Sequence, residues 1–153
     1  MTANKNQNEI KIPDDSIRFR IISNSNNELD IKEKLELKSY LEDILFDMIN
    51  GASTKEEANN IIVNNVEQID KSVNRFLKDK DYKISYGRNY FPKKIFKGVV
   101  YEEGYYDSLV ITIGNGEGEN WWCSLFPPLC LIDENTSDVE YKFYVARIIE
   151  SLK

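Results

Sequence analysis

The run Tyr105–Ile113, Tyr-Tyr-Asp-Ser-Leu-Val-Ile-Thr-Ile, constrains the fold more than any other stretch of the chain. In an extended strand Leu109, Ile111 and Ile113 project to one side, with Val110 and Thr112 on the other. Apolar positions on both sides fit a strand covered on both faces, which predicts a central place in a sheet. Such a strand needs neighbours beside it and layers above it. A chain of 153 residues can supply them, since a domain of that size buries about 70% of its unfolded surface.

The neighbours can be read from periodicity. Ile17, Phe19 and Ile21 alternate with Arg18 and Arg20, and Tyr82, Ile84 and Tyr86 alternate with Lys83 and Ser85. Both patterns have the period of a strand. Ile95–Tyr101 is expected to form a hairpin with Tyr105–Ile113 through Glu102-Glu103-Gly104. A first helix is expected from near Asp30, where Asp30 and Glu33 have capping-box spacing, with a stripe of Leu37, Leu41, Ile44 and Met48. Ser53 and Glu56 are expected to cap a second helix striped by Ala58, Ile62, Ile69, Val73 and Phe76, antiparallel to the first. Residues 114–135 show no clean period, and Val139–Leu152 reads as a helix. The expectation is an α+β fold in a single domain. It has a three- or four-stranded sheet with a hairpin, two antiparallel helices and a C-terminal helix packed on it. Residues 1–11 are expected to be a flexible tail or remnant, and 12–153 the domain.

Two features exclude whole classes of chemistry. The chain has no histidine, which removes Ser-His and Cys-His catalysis and histidine-ligated zinc. Two cysteines cannot supply a four-thiolate zinc site. No catalytic residue, cofactor or metal site is expected. The net charge of -6 disfavours nucleic acid, and no 18-residue apolar run could span a bilayer. Charge is also segregated: bases gather between Lys78 and Lys97, and none lies between Gly98 and Tyr141.

The remaining candidates are surfaces. Gly114-Asn115-Gly116-Glu117-Gly118 lacks the lysine and hydroxyl of a phosphate loop and reads as a turn. A weak calcium site or a carboxylate-based hydrolase using Asp107, Glu117 and Glu119 is the competing reading. Trp121 and Trp122 precede Phe126, Pro127 and Pro128 in the non-periodic stretch, a concentration of residues common in binding hot spots. Cys123 and Cys130, seven positions apart, can reach bonding geometry or stay as free thiols, depending on the compartment. Arg18 and Arg20, followed by Asn24, can grip carboxylates of this chain or of a partner.

Taken together, Ile17–Asn26 (IRFRIISNSN), Phe91-Pro92, Tyr105–Gly118 (YYDSLVITIGNGEG) and Asn120–Leu131 (NWWCSLFPPLCL) resemble the stage II sporulation protein R family. The resemblance runs from about Ile12 to the C-terminus. It implies a signalling protein made in the forespore of endospore formers and secreted into the intermembrane space. There it activates a membrane-embedded, aspartic-type protease of the mother cell, which processes a sigma factor precursor. Members carry an export segment that Met1–Glu9 does not display, so the chain is read as the secreted portion. The implied partner is the protease's extracytoplasmic face, and the catalytic aspartate belongs to that partner. An exported chain also favours a Cys123–Cys130 disulfide. The site expected on this reading is Trp121, Trp122, Phe126, Pro127 and Pro128, with Arg18, Arg20 and Asn24. A structural component of the spore envelope is the other alternative.

Overall fold

A computed structural model describes residues 10–130, 132 and 135–152. The order of elements is β1 (Ile10–Lys11), β2 (Ile17–Ile22), α1 (Glu28–Ile49), α2 (Lys55–Asn64), α3 (Val66–Leu77), β3 (Tyr82–Phe91), β4 (Lys94–Phe96), β5 (Val99–Tyr101), β6 (Gly104–Ile113), β7 (Asn120–Phe126) and α4 (Asp138–Ser151). The architecture is α+β, as expected, but with two sheets. One is four-stranded in the order β3-β6-β2-β7, the other three-stranded in the order β1-β5-β4. β6 lies between β3 and β2, antiparallel to the first and parallel to the second, which is the central position its two apolar faces predict.

The alternation sorts side chains into two cores. Phe19, Leu109 and Cys123 share one rung and one face, and α1, α2 and α3 cover that face. Leu37, Leu41 and Leu45 of α1 are fully buried there, each worth about 1.5–3 kcal/mol of transfer free energy. The second core holds Phe91, Tyr106 and Trp122 from the large sheet, Val99 and Tyr101 from β5, and Tyr141 and Val145 from α4. The C-terminal helix therefore forms as expected, but Tyr141 and Val145 pack with the small sheet's residues rather than in the α1–α3 core.

Several expected boundaries shift. The hairpin is not between Ile95–Tyr101 and Tyr105–Ile113. Lys97 and Gly98 both take positive φ (52° and 82°), so the chain turns there and β4 pairs with β5, Phe96 opposite Val99. β6 instead pairs along its length with β3, from Tyr82–Ile113 to Phe91–Gly104. Ile10 and Lys11, expected in the tail, form β1 parallel to β5, and Ile12 behind them is buried in the second core. The first helix begins three residues before Asp30's expected role: Asn27 is its cap, accepting a 2.8 Å bond from the Asp30 amide. Thr54 and Glu57, not Ser53 and Glu56, form the next cap. The expected second helix is two. Asn65 breaks it, its amide donating to the Ile62 carbonyl and its side chain to that of Ile61. Residues 120–126, read as irregular, form β7, whose period is masked because its residues on both faces are largely apolar.

Candidate functional site

Adjacent residues of a strand point to opposite faces, so Trp121 and Trp122 enter different cores. Trp121 is half-buried, its ring edge-on to Phe19 at 5.7 Å, with the Lys38 ammonium 4.8 Å from its centre. Trp122 is 7% exposed and edge-on to Phe91 and Tyr101 at 5.1 and 5.5 Å. The Lys94 ammonium sits 4.1 Å over its ring and donates to the Trp122 carbonyl at 3.1 Å. Trp122 is thus a core residue, while Trp121 keeps part of its ring in solvent.

Beyond β7 the chain is tied down within a few residues. A Cys123–Cys130 disulfide closes the loop, with Cα atoms 5.3 Å apart. The Ser124 carbonyl accepts from the amides of both Leu129 and Cys130 at 3.1 Å. The Ser124 hydroxyl donates to the Pro127 carbonyl at 2.9 Å. The Phe126–Pro127 peptide is cis. Phe126 and Leu129 are buried on either side, so the loop is held by two cores as well as by the bond. Phe126 and Pro127 face inward; Pro128 is half-exposed beside Phe46 of α1.

Arg18 does not reach a surface. It is 0% exposed, and its rung reads Gly87, Ser108, Arg18, Ser124 across the sheet. These small neighbours leave room for the long side chain. Its guanidinium lies 3.9 Å from the Tyr106 ring centre, 5.0 Å from Trp122, 5.4 Å from Tyr101 and 5.6 Å from Phe91. Nε donates to the Ser16 hydroxyl at 2.9 Å, but Nη1 and Nη2 have no acceptor. Burial lowers its pKa, and burial raises that of Tyr101, whose hydroxyl pairs with Tyr141 at 2.7 Å. Arg20 is half-buried: Nη2 donates to the Tyr90 carbonyl at 2.6 Å and the guanidinium covers the Phe91 ring at 3.9 Å.

Asn24 is committed to the fold. Its Oδ1 accepts from the Asn115 amide at 2.9 Å and its Nδ2 donates to Asp30 at 2.9 Å. Asn26 likewise accepts from the Glu119 amide, and the Glu117 and Gly118 amides donate to the carbonyls of Asn24 and Ser23. The two polar turns therefore interlock. A Cβ on Gly118 would lie 2.5 Å from the Ser25 carbonyl oxygen and 2.0 Å from the Ser23 hydroxyl. Lys34 of α1 completes the junction by donating to the Glu119 carbonyl.

The acidic alternatives do not converge. Asp107 pairs with Lys55 at 2.5 Å and lies 3.8 Å from Arg88. It is six residues from the end of β6, about 20 Å of strand from the turn that carries Glu117 and Glu119. Among the described residues no acidic or cysteine group could hold a metal ion. Asp133 and Glu134 lie outside the described residues. Sequence reasoning missed the aromatic box around Arg18. The small serines at 108 and 124, inside otherwise bulky strands, were its signal, but only the register places them beside Arg18.

The family model described as stage II sporulation protein R matches residues 13–136. The chain belongs to that family. It is 33% identical over 138 residues to the stage II sporulation protein R of Bacillus subtilis (strain 168), covering 86% of this chain and 61% of that relative. The chain thus spans about 61% of the curated relative's length. No solved structure matches. The family match covers the interlocked turns, the Arg18 box and the disulfide loop, and among the described residues no helix is long and apolar enough to cross a membrane.

Proposed function

We propose that this chain is a secreted signalling protein, acting as a ligand rather than an enzyme. It activates a membrane-embedded, aspartic-type protease of the mother cell from its extracytoplasmic face, and that protease then processes a sigma factor precursor during endospore formation. The chain is delivered from the forespore into the intermembrane space. Family membership supports the sporulation role. The observation that carries the ligand reading is the disulfide-closed loop after β7, clamped by Ser124 and anchored in both cores, which presents Pro128 and the open part of Trp121. A surface held this firmly loses little conformational entropy on docking. Trp122, Phe126, Pro127 and Arg18 shape it from within, Arg20 ties β2 to the end of β3, and Asn24 fixes the neighbouring turns.

The test is co-expression of protease and precursor with and without this chain. Processing is expected only when the chain is present. Trp121→Ala, checked by its melting curve for retained fold, is expected to lower processing several-fold. Precursor processing that is unaffected by the chain would refute the activator role, and a spore-envelope role would then be the better reading.

A further inference from the structure

α4 buries Tyr141 and Val145, yet its other side is not the polar surface that an exposed helix face carries. Val139 is 79% exposed, Phe143 55% and Tyr144 44%. The Phe143 and Tyr144 rings meet edge-on at 5.9 Å. Phe143, Tyr144, Arg147 and Ile148 of α4 face Phe46 of α1, Pro128 of the disulfide loop and the segment that follows that loop (Ile132 and Thr136) across an open groove of about 770 Å³. Arg147 lies one turn after Phe143, its guanidinium 5.6 Å from that ring, and no carboxylate of the described residues pairs with it. Aromatic side chains beside an arginine in an exposed groove are the composition of an interface core.

We propose that this groove seats an apolar segment of a protein partner that carries a carboxylate for Arg147. The inference rests on the activator reading and adds a second contact to it, since Pro128 belongs to both the disulfide loop and the groove. Charge selects the occupant. In a chain of net charge -6, Arg147 is a cation set among apolar walls and paired with no carboxylate of the described residues, so it complements an acidic side chain flanked by apolar ones. A guanidinium takes a carboxylate bidentately. A membrane surface fits less well, because the site is a groove between three elements with one arginine, and the overall negative charge repels anionic lipid.

The same co-expression assay tests it. Arg147→Glu and the double variant Phe143→Ala/Tyr144→Ala are compared with Leu29→Ala, an exposed apolar control outside the groove. All alter exposed side chains, and melting curves establish that they fold. Both groove variants are expected to lower precursor processing about tenfold or more, with Arg147→Lys intermediate and Leu29→Ala unchanged. Folded groove variants that process like the wild type overturn the groove while leaving the activator role standing; a wild-type chain without effect overturns that role instead. Two further measurements identify the occupant. Binding to phosphatidylglycerol/phosphatidylcholine vesicles that is lost in the variants makes it lipid. A wild-type dimer in sedimentation that becomes monomeric in the variants makes it a second copy. Either result overturns the partner segment.

Discussion

A guanidinium buried without an acceptor for two of its nitrogens should be a liability, and Arg18 is such a group. Two effects oppose each other. Desolvation of an ion costs several kcal/mol even after relaxation. Against it stand one hydrogen bond to Ser16 and the faces of four aromatic rings, of which only Tyr106 is close. Cation–π contacts contribute about 0.5–2 kcal/mol each. With one close ring and two unpaired nitrogens, the cost is expected to exceed these gains. Arg18→Met, similar in length and apolar, is therefore expected to fold and to raise stability by about 1 kcal/mol or more. Chemical denaturation measures it; a loss of stability would show that the aromatic box outweighs desolvation. Arg18→Lys, whose compact ammonium is more strongly hydrated, is expected to be less stable than the methionine variant. If the stable Arg18→Met chain also fails to activate processing, the buried charge serves function and not the fold.

At the scale of elements, two devices join what the sheet leaves apart. The disulfide closes a loop of about eight residues, which on the chain-entropy model contributes roughly 2–3 kcal/mol. Cys123→Ser/Cys130→Ser is expected to lose about that much unfolding free energy, measured by chemical denaturation. A much larger loss would mean that the Ser124 clamp does not form without the bond. The second device is the interlock of the 23–26 and 114–118 turns. Gly118→Ala is expected to destabilise more than Asn24→Ala, because its Cβ would meet backbone, at the 2.5 Å Ser25 oxygen, while Asn24→Ala deletes two side-chain hydrogen bonds. Both melting temperatures decide it. Much of this scale was legible beforehand. Periodicity located α1, β2 and β6 because each has one clear face or, for β6, two apolar ones; α4 reads as a helix, but the residues it buries are Tyr141 and Val145 while Phe143 of the expected stripe is exposed. The β4–β5 hairpin was not legible, since Lys97 takes a left-handed conformation that its side chain does not advertise. Nor was the second sheet, whose strands are only two or three residues long. The Trp121–Pro128 block stood out by composition, but which indole faces solvent follows from the pairing of Phe19 with Cys123, a long-range fact.

For the molecule as a whole, the missing histidine and the closed disulfide leave few side chains able to titrate near neutrality. Stability should then be nearly flat from about pH 6 to 9. The alkaline side is different. Tyr82 donates to Asp70 at 2.6 Å, and burial together with that carboxylate pushes its pKa up to about 12. Tyr86, donating to Asn59, and Tyr101, at the heart of the second core, are raised as well, chiefly by burial. A tyrosine whose folded pKa exceeds the unfolded value of about 10 binds its proton more tightly in the folded state. Its contribution is complete below pH 10 and is lost as pH rises toward the folded pKa. These tyrosines sit in both cores, so the two should weaken together and unfold in one alkaline transition. Denaturant titrations at pH 8, 10 and 11.5 are expected to show little change, then a steep fall. Tyr82→Phe should lower stability at pH 8 by the lost hydrogen bond but reduce the fall between pH 10 and 12. An equally steep fall in that variant would place the linkage on the other tyrosines. Two separated alkaline transitions would show instead that the small sheet and α4 can come away while the four-stranded sheet and its three helices remain folded.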